Sequence, residues 1–349
     1  MIWLTWRQFR VQAITAAAAL ASFAILLAAT GPGLASRYAA SGISGCHGFA
    51  CGSVVNAFLS NLADPYPVVY LLGIGLILVA PAIIGIFWGA PLIARELETR
   101  TFTLAWNQTI TRTQWLAAKL AMTGLAAVAV TEAISVIYAW WAAPISKAIG
   151  LGSTGGLPKL FSQGQFSSVI FATHGIAPLG YAAFAFTLAT AAGALTRRTL
   201  PAMAITLATF AAAQIAMPLW VRPHLIPPSH TIAAIDAADL AYGNLAADVV
   251  PGQPGAWILS SQALDPAGQP VSAVPAACVG SGSSLPDQKG GATAITPAQC
   301  MQGRGYREAI TYLPTSRYWP LQRIETGVFL ALALVLAGSC FWQLRRRRS

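Results

Sequence analysis

Long apolar runs constrain this sequence more than any other feature, because about 17–25 apolar residues are enough to cross the hydrocarbon core of a membrane as a helix. Six runs reach that length, and polar or charged stretches separate them. Their expected limits are 13–31, 68–94, 116–142, 169–195, 200–221 and 326–344. Only 9% of the residues are charged, whereas soluble domains carry about 25%. The sequence therefore predicts an all-α integral membrane protein with six transmembrane helices.

Basic residues indicate how these spans are oriented. Lys and Arg outnumber Asp and Glu by 21 to 11, and short flanks rich in Lys and Arg remain on the cytoplasmic side. With six spans, all the basic flanks fall on one side: Arg7 with Arg10, the segment 95–119, Arg197 with Arg198, and 345–348. The Ala-rich composition is typical of a bacterial protein. We therefore expect a multi-pass protein of the bacterial plasma membrane with both termini in the cytoplasm. Membrane lipids account for the positive charge, and no nucleic-acid partner is expected.

The first apolar run allows a second interpretation, as a cleaved signal peptide. Two arginines precede it and the small residues of "GLAS" follow it. Its length favours a true span, because its removal leaves five spans that no longer account for the basic flanks. Residues 1–12 are expected to form an amphipathic helix at the membrane surface, with Trp6 and Phe9 on the apolar side and Arg7 and Arg10 within reach of lipid phosphates.

Residues 222–322 form the only segment outside the membrane that is long enough to be a domain. They are rich in Pro, Gly, Ser and Gln and poor in large apolar side chains, a composition that disfavours a packed core. We expect a loosely structured outer loop with one short helix near 230–250. Residues 323–349 then supply the sixth span and a basic cytosolic tail.

Four of the five cysteines fall in two outer segments, Cys46 and Cys51 in one, Cys278 and Cys300 in the other. Paired thiols outside the membrane indicate an oxidising exterior and predict two local disulfides. A metal site formed by His47 with the first pair is the alternative. A zinc site normally requires four ligands, and the sequence offers no fourth ligand nearby.

The most charge-dense stretch in the front half lies between the second and third runs, at residues 94–120. Within it "ITRTQW" is a helix-start pattern, in which Thr111 is the N-cap and Gln114 completes a capping box. We therefore expect a helix that begins after Thr111 and continues into the third span. The preceding "RELETRTFTLAW" is expected to be a separate short amphipathic helix with Phe102 and Trp106 on one face. A loop that only satisfies the positive-inside rule is the alternative.

The stretch "RELETRTFTLAWNQTITRTQWLAAKL" resembles the cytosolic segment that follows the second span in type-2 ABC exporter permeases. In that family an acidic residue and a Gly-Thr pair precede a short coupling helix, a turn, an Arg and a Lys that enters the third span. Glu98, Thr101, Arg112 and Lys119 stand at the matching positions, while Arg100 replaces the usual Gly. The resemblance covers most of the membrane portion and excludes most of the outer loop.

This resemblance implies a permease subunit without catalytic activity, in which residues 1–12 are an elbow helix and 95–115 couple the spans of 13–221 to an ATPase. The expected partners are cytosolic ABC ATPase subunits and a second permease chain, which is an identical copy or a paralogue. The chain has no Walker loop, so ATP and Mg would bind the ATPase subunit and no cofactor would bind this chain. The side chains assigned to coupling are Glu96, Glu98, Thr101, Phe102, Trp106, Thr111 and Arg112.

Few ionisable residues lie in or at the ends of the apolar runs, and the candidates among them are Glu132, His174 and Glu325, the last of which stands beside Arg323. Burial of charge in lipid is costly, so each is a functional candidate. If Glu132 binds a proton or cation, the chain is a secondary transporter; the alternative for Glu132 is a structural hydrogen bond to a neighbouring span. A membrane anchor without transport is the third possibility. The exporter interpretation predicts outward movement of an amphipathic or lipid-like substrate. "GIFWG" at 85–89 is a G-x-x-x-G pattern that favours close helix packing, within one subunit or across a dimer.

Overall fold

The structure is a computed structural model, and it describes residues 2–45, 51–99, 112–149, 164–235, 250–253, 255–279, 284–286, 292–294 and 297–346. Six helices within these ranges are long and apolar enough to cross a membrane, as predicted. We call them spans one to six: Phe9–Ala40, Tyr66–Glu96, Thr113–Ile149, Ala177–Thr196, Thr199–His224 and Thr315–Gln343. The two ends of the bundle are named here the cytosolic end and the outer end, after the orientation that the sequence predicts.

Ten α-helices build the described part of the chain. Their bounds are α1 Ile2–Ala40, α2 Cys51–Ser60, α3 Tyr66–Ile84, α4 Ala90–Thr99, α5 Arg112–Ile149, α6 Ser168–Thr173, α7 Ala177–Thr196, α8 Thr199–Ala216, α9 Pro297–Gly303 and α10 Tyr318–Arg346. The start of α5 at Arg112 confirms the helix that the capping pattern predicts after Thr111. Span four is the most buried of the six spans and span one the least.

Two spans contain a π-helical turn, Gly85–Gly89 in span two and Met217–Val221 in span five. Pro81 precedes the first turn, and Pro218 lies within the second. The turn in span five ends immediately before Arg222 and fixes where that side chain enters the bundle.

The amphipathic helix expected at residues 1–12 continues directly into span one, because Ile2–Ala40 is one continuous helix. No Gly or Pro occurs before Gly31, so nothing in the sequence interrupts the backbone there. The first turns are held against span two instead. The rings of Phe9 and Trp88 meet edge to face with centroids 4.8 Å apart, and Gln12 Nε2 donates a hydrogen bond to the carbonyl of Phe87 at 3.2 Å.

The fourth apolar run is two helices rather than the single helix expected over 169–195. The short α6 ends at Thr173, and span four begins at Ala177. Gly175 between them has φ of +71°, a conformation that glycine adopts easily and that ends a helix. The run was long enough to cross the membrane by itself, but its glycine divides it.

Spans two and four approach so closely that their backbones touch. A Cβ placed on Gly85 would lie 2.8 Å from the carbonyl oxygen of Ala185, and one on Gly89 would lie 2.7 Å from that of Phe186. Small residues at this spacing allow helices to pack at short range. The G-x-x-x-G pattern therefore serves helix packing within one subunit, which is one of the two interpretations that the sequence allows.

The outer segment differs from the expectation, which was a loosely structured loop with one short helix. Strands β1 Ser229–Ala234, β2 Trp257–Leu264, β3 Pro270–Val271 and β6 Arg307–Leu313 form an antiparallel sheet in the order β1-β6-β2-β3. A second sheet pairs β4 Ser284–Pro286 with β5 Ala292–Ala294. The expected helix near 230–250 is wrong over β1, whose side chains alternate in burial as a strand requires.

One predicted disulfide is present between Cys278 and Cys300, whose Cα atoms are 5.6 Å apart. Both residues are buried in a small cluster with Met301 beneath the sheet. Cys51 is also disulfide-bonded, and its predicted partner Cys46 lies outside the described residues, as does His47 of the alternative metal site.

Candidate functional site

The cytosolic end of span two is longer than expected and carries two of the predicted coupling residues. Helix α4 continues without a break through Thr99, so Glu96 and Glu98 do not belong to a separate short helix. The helix therefore extends beyond the end expected at Ala94. Apolar Ile93 and Leu97 continue the helical pattern of the span, and the two glutamates bind neighbouring spans instead of ending the helix.

Glu96 forms an ion pair with Lys119 of span three. The ammonium group of Lys119 also lies 4.7 Å from the ring centroid of Trp115, one turn earlier on the same helix. Lys119 is only 4% exposed, so its charge depends on these two partners for stabilisation. The ion pair ties the cytosolic ends of spans two and three together.

Glu98 accepts two hydrogen bonds from Thr199 at the start of span five, one from the backbone N–H at 2.7 Å and one from the hydroxyl at 2.9 Å. The residue in the N-cap position, Arg198, provides no side-chain cap. This carboxylate near the end of α4 therefore caps span five at the positive end of its helix dipole. The bond from the Thr199 N–H, followed by that from its hydroxyl, holds the pKa of Glu98 below its usual range.

The two contacts lie on either side of the connection between spans two and three. Four of the predicted coupling residues, Thr101, Phe102, Trp106 and Thr111, lie outside the described residues. Arg112 is the first residue of α5. The structure therefore brings Glu96 and Glu98 to the start of the connection and Lys119 to the second turn after its end, where they join three spans.

A second cluster of charges lies at the outer end, where Arg222 of span five meets Glu325 of span six. Arg222 Nε donates to Glu325 Oε2 at 2.8 Å and Nη2 donates to Oε1 at 3.0 Å. The hydroxyl of Tyr181 in span four donates to the same carboxylate, and the guanidinium lies 4.0 Å from the ring centroid of Phe171. The carboxylate thus joins spans four, five and six.

Gln322, one turn before Glu325, satisfies the backbone at the break before span four. Its Oε1 accepts a hydrogen bond from the N–H of Ala177 at 2.9 Å. Its Nε2 donates to the carbonyls of Phe171 and His174, each at 3.0 Å. Gln322 is fully buried, and backbone groups at a helix break would otherwise lose their partners inside the bundle. Span six therefore stabilises the backbone at this break between α6 and span four.

Two of the three polar candidates remain without a complete set of partners. His174 hydrogen-bonds through Nδ1 to the carbonyl of Ile170 at 3.0 Å, while its Nε2 is buried without a partner among the described residues. Glu132 Oε2 is likewise buried without a partner in that part of the chain. Glu325 is the only one of the three that forms an ion pair there.

Sequence reasoning missed Arg222, Tyr181 and Gln322. Arg222 was placed at the start of the outer loop because a charge normally ends an apolar run. One signal was available: consecutive spans are antiparallel, so a basic residue at the outer end of span five and an acidic residue at the outer start of span six fall at the same depth.

The fold and the polar contacts between its helix ends define an all-α integral membrane protein with six spans. The family model described as ABC-2 membrane transporter related matches residues 17–222, which is more than half of the chain. The chain belongs to that family. Membership implies a membrane transport permease that works with ABC ATPase subunits. No curated protein and no solved structure matches the chain.

Proposed function

We propose that this chain is the permease subunit of an ATP-driven exporter that moves an amphipathic or lipid-like substrate outward. A separate ATPase subunit would bind and hydrolyse ATP, and a second permease chain, identical or paralogous, would complete the membrane channel. Family membership supports transport as the general activity. The apolar spans support a substrate that is itself partly apolar.

The contacts at the cytosolic end are the observation that carries the coupling mechanism. Glu96 pairs with Lys119, and Glu98 caps the helix that begins at Thr199. A force applied to the connection between Thr99 and Arg112 would therefore act on spans two, three and five together. In this mechanism the residues of the connection contact the ATPase, and the two glutamates transmit its movement between spans.

The outer end supports a coordinated response of the other half of the bundle. Glu325 joins spans four, five and six through Tyr181 and Arg222. Span four also packs backbone to backbone against span two through Gly85 and Gly89. Movement of span two at the cytosolic end would therefore reach the outer end through span four, and the two halves would tilt to open an outward path.

The first experiment is purification of the tagged full-length chain from its native host in mild detergent. We expect a soluble subunit with a Walker loop to co-purify in fixed proportion. The proposed contact between the connection and the ATPase is tested by the double variant Trp106→Ala with Phe102→Ala. We expect this variant to lose the co-purifying subunit. If no ATPase co-purifies, the exporter proposal is wrong.

The transmission step requires a variant that leaves the ATPase bound. Lys119→Met breaks the ion pair with Glu96 without a change in the connection itself. We expect the reconstituted complex to retain its ATPase and to lose ATP-dependent outward movement of a fluorescent short-chain phospholipid. Lys147→Met, an exposed lysine at the other end of the same helix, is the matched control. Equal transport by both variants would argue against the mechanism.

A secondary transporter is the second candidate, and Glu132 is the observation that favours it. Its buried Oε2 has no partner in the described part of the chain, so it is available to bind a proton or cation. This alternative predicts transport driven by an ion gradient without an ATPase, which Glu132→Gln would abolish. A membrane anchor, the third candidate, would transport in neither experiment.

A further inference from the structure

The outer end of span one and the short helix α2 border an open cleft of about 590 Å³. Its lining combines one basic side chain, small polar groups and apolar surface, including Arg37, Ser41, Val54, Phe58 and Asn61. None of the described residues that line it carries a carboxylate. The cleft therefore combines one positively charged side chain with small polar groups and apolar surface, and it lies apart from both charged clusters described above.

The position of Arg37 along its helix places the cleft at the level of lipid headgroups. Arg10 and Arg37 belong to the same helix, Ile2–Ala40, and a rise of 1.5 Å per residue separates them by roughly 40 Å along its axis. A bilayer measured through both headgroup regions is about 40–45 Å thick. No charged residue lies between the two arginines. When Arg10 lies among the headgroups of one leaflet, Arg37 lies among those of the other.

Arg37 is exposed and forms no ion pair with a carboxylate among the described residues. Its guanidinium lies 5.1 Å from the ring centroid of Tyr66 at the start of span two. Contact with an aromatic ring orients a guanidinium and leaves its in-plane N–H groups able to donate to an anion. The side chain is thus held at the mouth of the cleft with its donors available.

We propose that this cleft binds the headgroup of an anionic phospholipid of the outer leaflet, of the phosphatidylglycerol class. Arginine matches phosphate oxygens with two parallel N–H donors. The amide of Asn61 suits the hydroxyls of a glycerol headgroup, while Val54 and Phe58 contact the upper part of the acyl chains. A zwitterionic headgroup fits less well, because the described lining of the cleft offers no carboxylate to receive its ammonium group. The proposal concerns lipid binding alone and does not depend on the transport function.

Native mass spectrometry of the full-length chain, titrated with phosphatidylglycerol or phosphatidylcholine, tests this site. Loss of one arginine–phosphate contact should raise the dissociation constant for phosphatidylglycerol about tenfold in Arg37→Gln. Arg317→Gln is the control, because Arg317 is also exposed at the outer end but lies away from the cleft. We expect that variant to bind like the wild type. An equal dissociation constant for Arg37→Gln and Arg317→Gln would overturn the proposal.

Two further measurements distinguish a lipid in the cleft from a soluble anion there and from a lipid bound elsewhere. Ala57→Trp fills the cleft without a change in charge, so it should also weaken phosphatidylglycerol binding, and it decides the question if Arg37→Gln does not fold. Inorganic phosphate at millimolar concentration should not displace the lipid, since the acyl chains contribute to its affinity. Displacement by phosphate would show that the cleft takes a soluble anion, and retention of lipid in Ala57→Trp would show that lipid binds elsewhere. Either result overturns the proposal.

Discussion

Arg222 and Glu325 form a two-bond ion pair that closes the outer end of the bundle between spans five and six. The two residues are 103 positions apart in the sequence, and their side chains are 1% and 0% exposed. Strands β1 and β6, which leave span five and lead into span six, pair with each other directly above. The ion pair and the sheet therefore fix the same two chain segments, one within the bundle and one outside it.

Replacement of Arg222 by methionine should destabilise the protein strongly. Removal of one partner leaves the other charge buried without compensation, a loss of about 3–5 kcal/mol in the free energy of unfolding. Thermal unfolding of the full-length chain in detergent measures the effect. Arg317→Met, at an exposed arginine of the same region, should change stability little. The prediction fails if the two variants unfold alike.

The double variant Arg222→Met with Glu325→Leu tests whether the loss comes from the unpaired charge. Apolar replacement of both members of a buried ion pair is often neutral or stabilising. We therefore expect the double variant to recover part of the stability that Arg222→Met loses. Greater damage in the double variant than in either single variant would mean that the pair itself supplies the stability.

Glu98 should make the contact between spans two and five dependent on pH. Its pKa is lowered in the folded protein by the hydrogen bonds from Thr199, so its stabilising effect is complete above the ordinary glutamate pKa of about 4.3. The effect is lost as the pH falls through the lowered pKa. The difference in unfolding temperature between wild type and Glu98→Gln should therefore shrink from pH 6 to pH 3. A difference in unfolding temperature that stays constant from pH 6 to pH 3 would contradict this prediction.

Local patterns in the sequence predicted those features that neighbouring residues determine. Run length predicted six spans, the capping pattern around Thr111 predicted the start of α5 at Arg112, and the location of Cys278 and Cys300 in one outer segment predicted their disulfide. Each of these depends on a few adjacent residues or on one short loop. Such features can be predicted before the tertiary arrangement is known.

The contacts between spans were not predictable in this way. Glu98 and Thr199 are 101 positions apart, and nothing local to either one indicates that spans two and five adjoin at the cytosolic end. From the sequence, Glu96 and Glu98 were therefore assigned to contacts with an ATPase subunit and not to contacts between spans. The outer sheet was missed for a related reason. The pairing of β1 with β6 and the small apolar clusters around Ile310 and Cys278 join residues that are far apart in the sequence.

The disulfide between Cys278 and Cys300 should stabilise the outer segment. It closes a loop of 22 residues, for which the chain-entropy model predicts about 3 kcal/mol. The paired substitution of both cysteines by serine should increase hydrogen exchange and proteolysis around β2 and β6 while the spans remain protected. Cys340→Ala, at the free cysteine buried in span six, controls for loss of a thiol. Unchanged exchange in the outer strands would show that the sheet is stable without the disulfide.

Close packing of spans two and four predicts opposite outcomes for two glycines of the same span. A Cβ on Gly85 would lie 2.8 Å from the Ala185 carbonyl oxygen, whereas one on Gly75 would meet nothing within 4 Å. Gly85→Ala should therefore force the spans apart and cost about 1–3 kcal/mol in stability. Gly75→Ala should be neutral or slightly stabilising, because alanine favours the helix. Both variants are compared by thermal unfolding of the full-length chain in detergent. If Gly85→Ala is as stable as Gly75→Ala, the backbones of spans two and four do not pack at this distance.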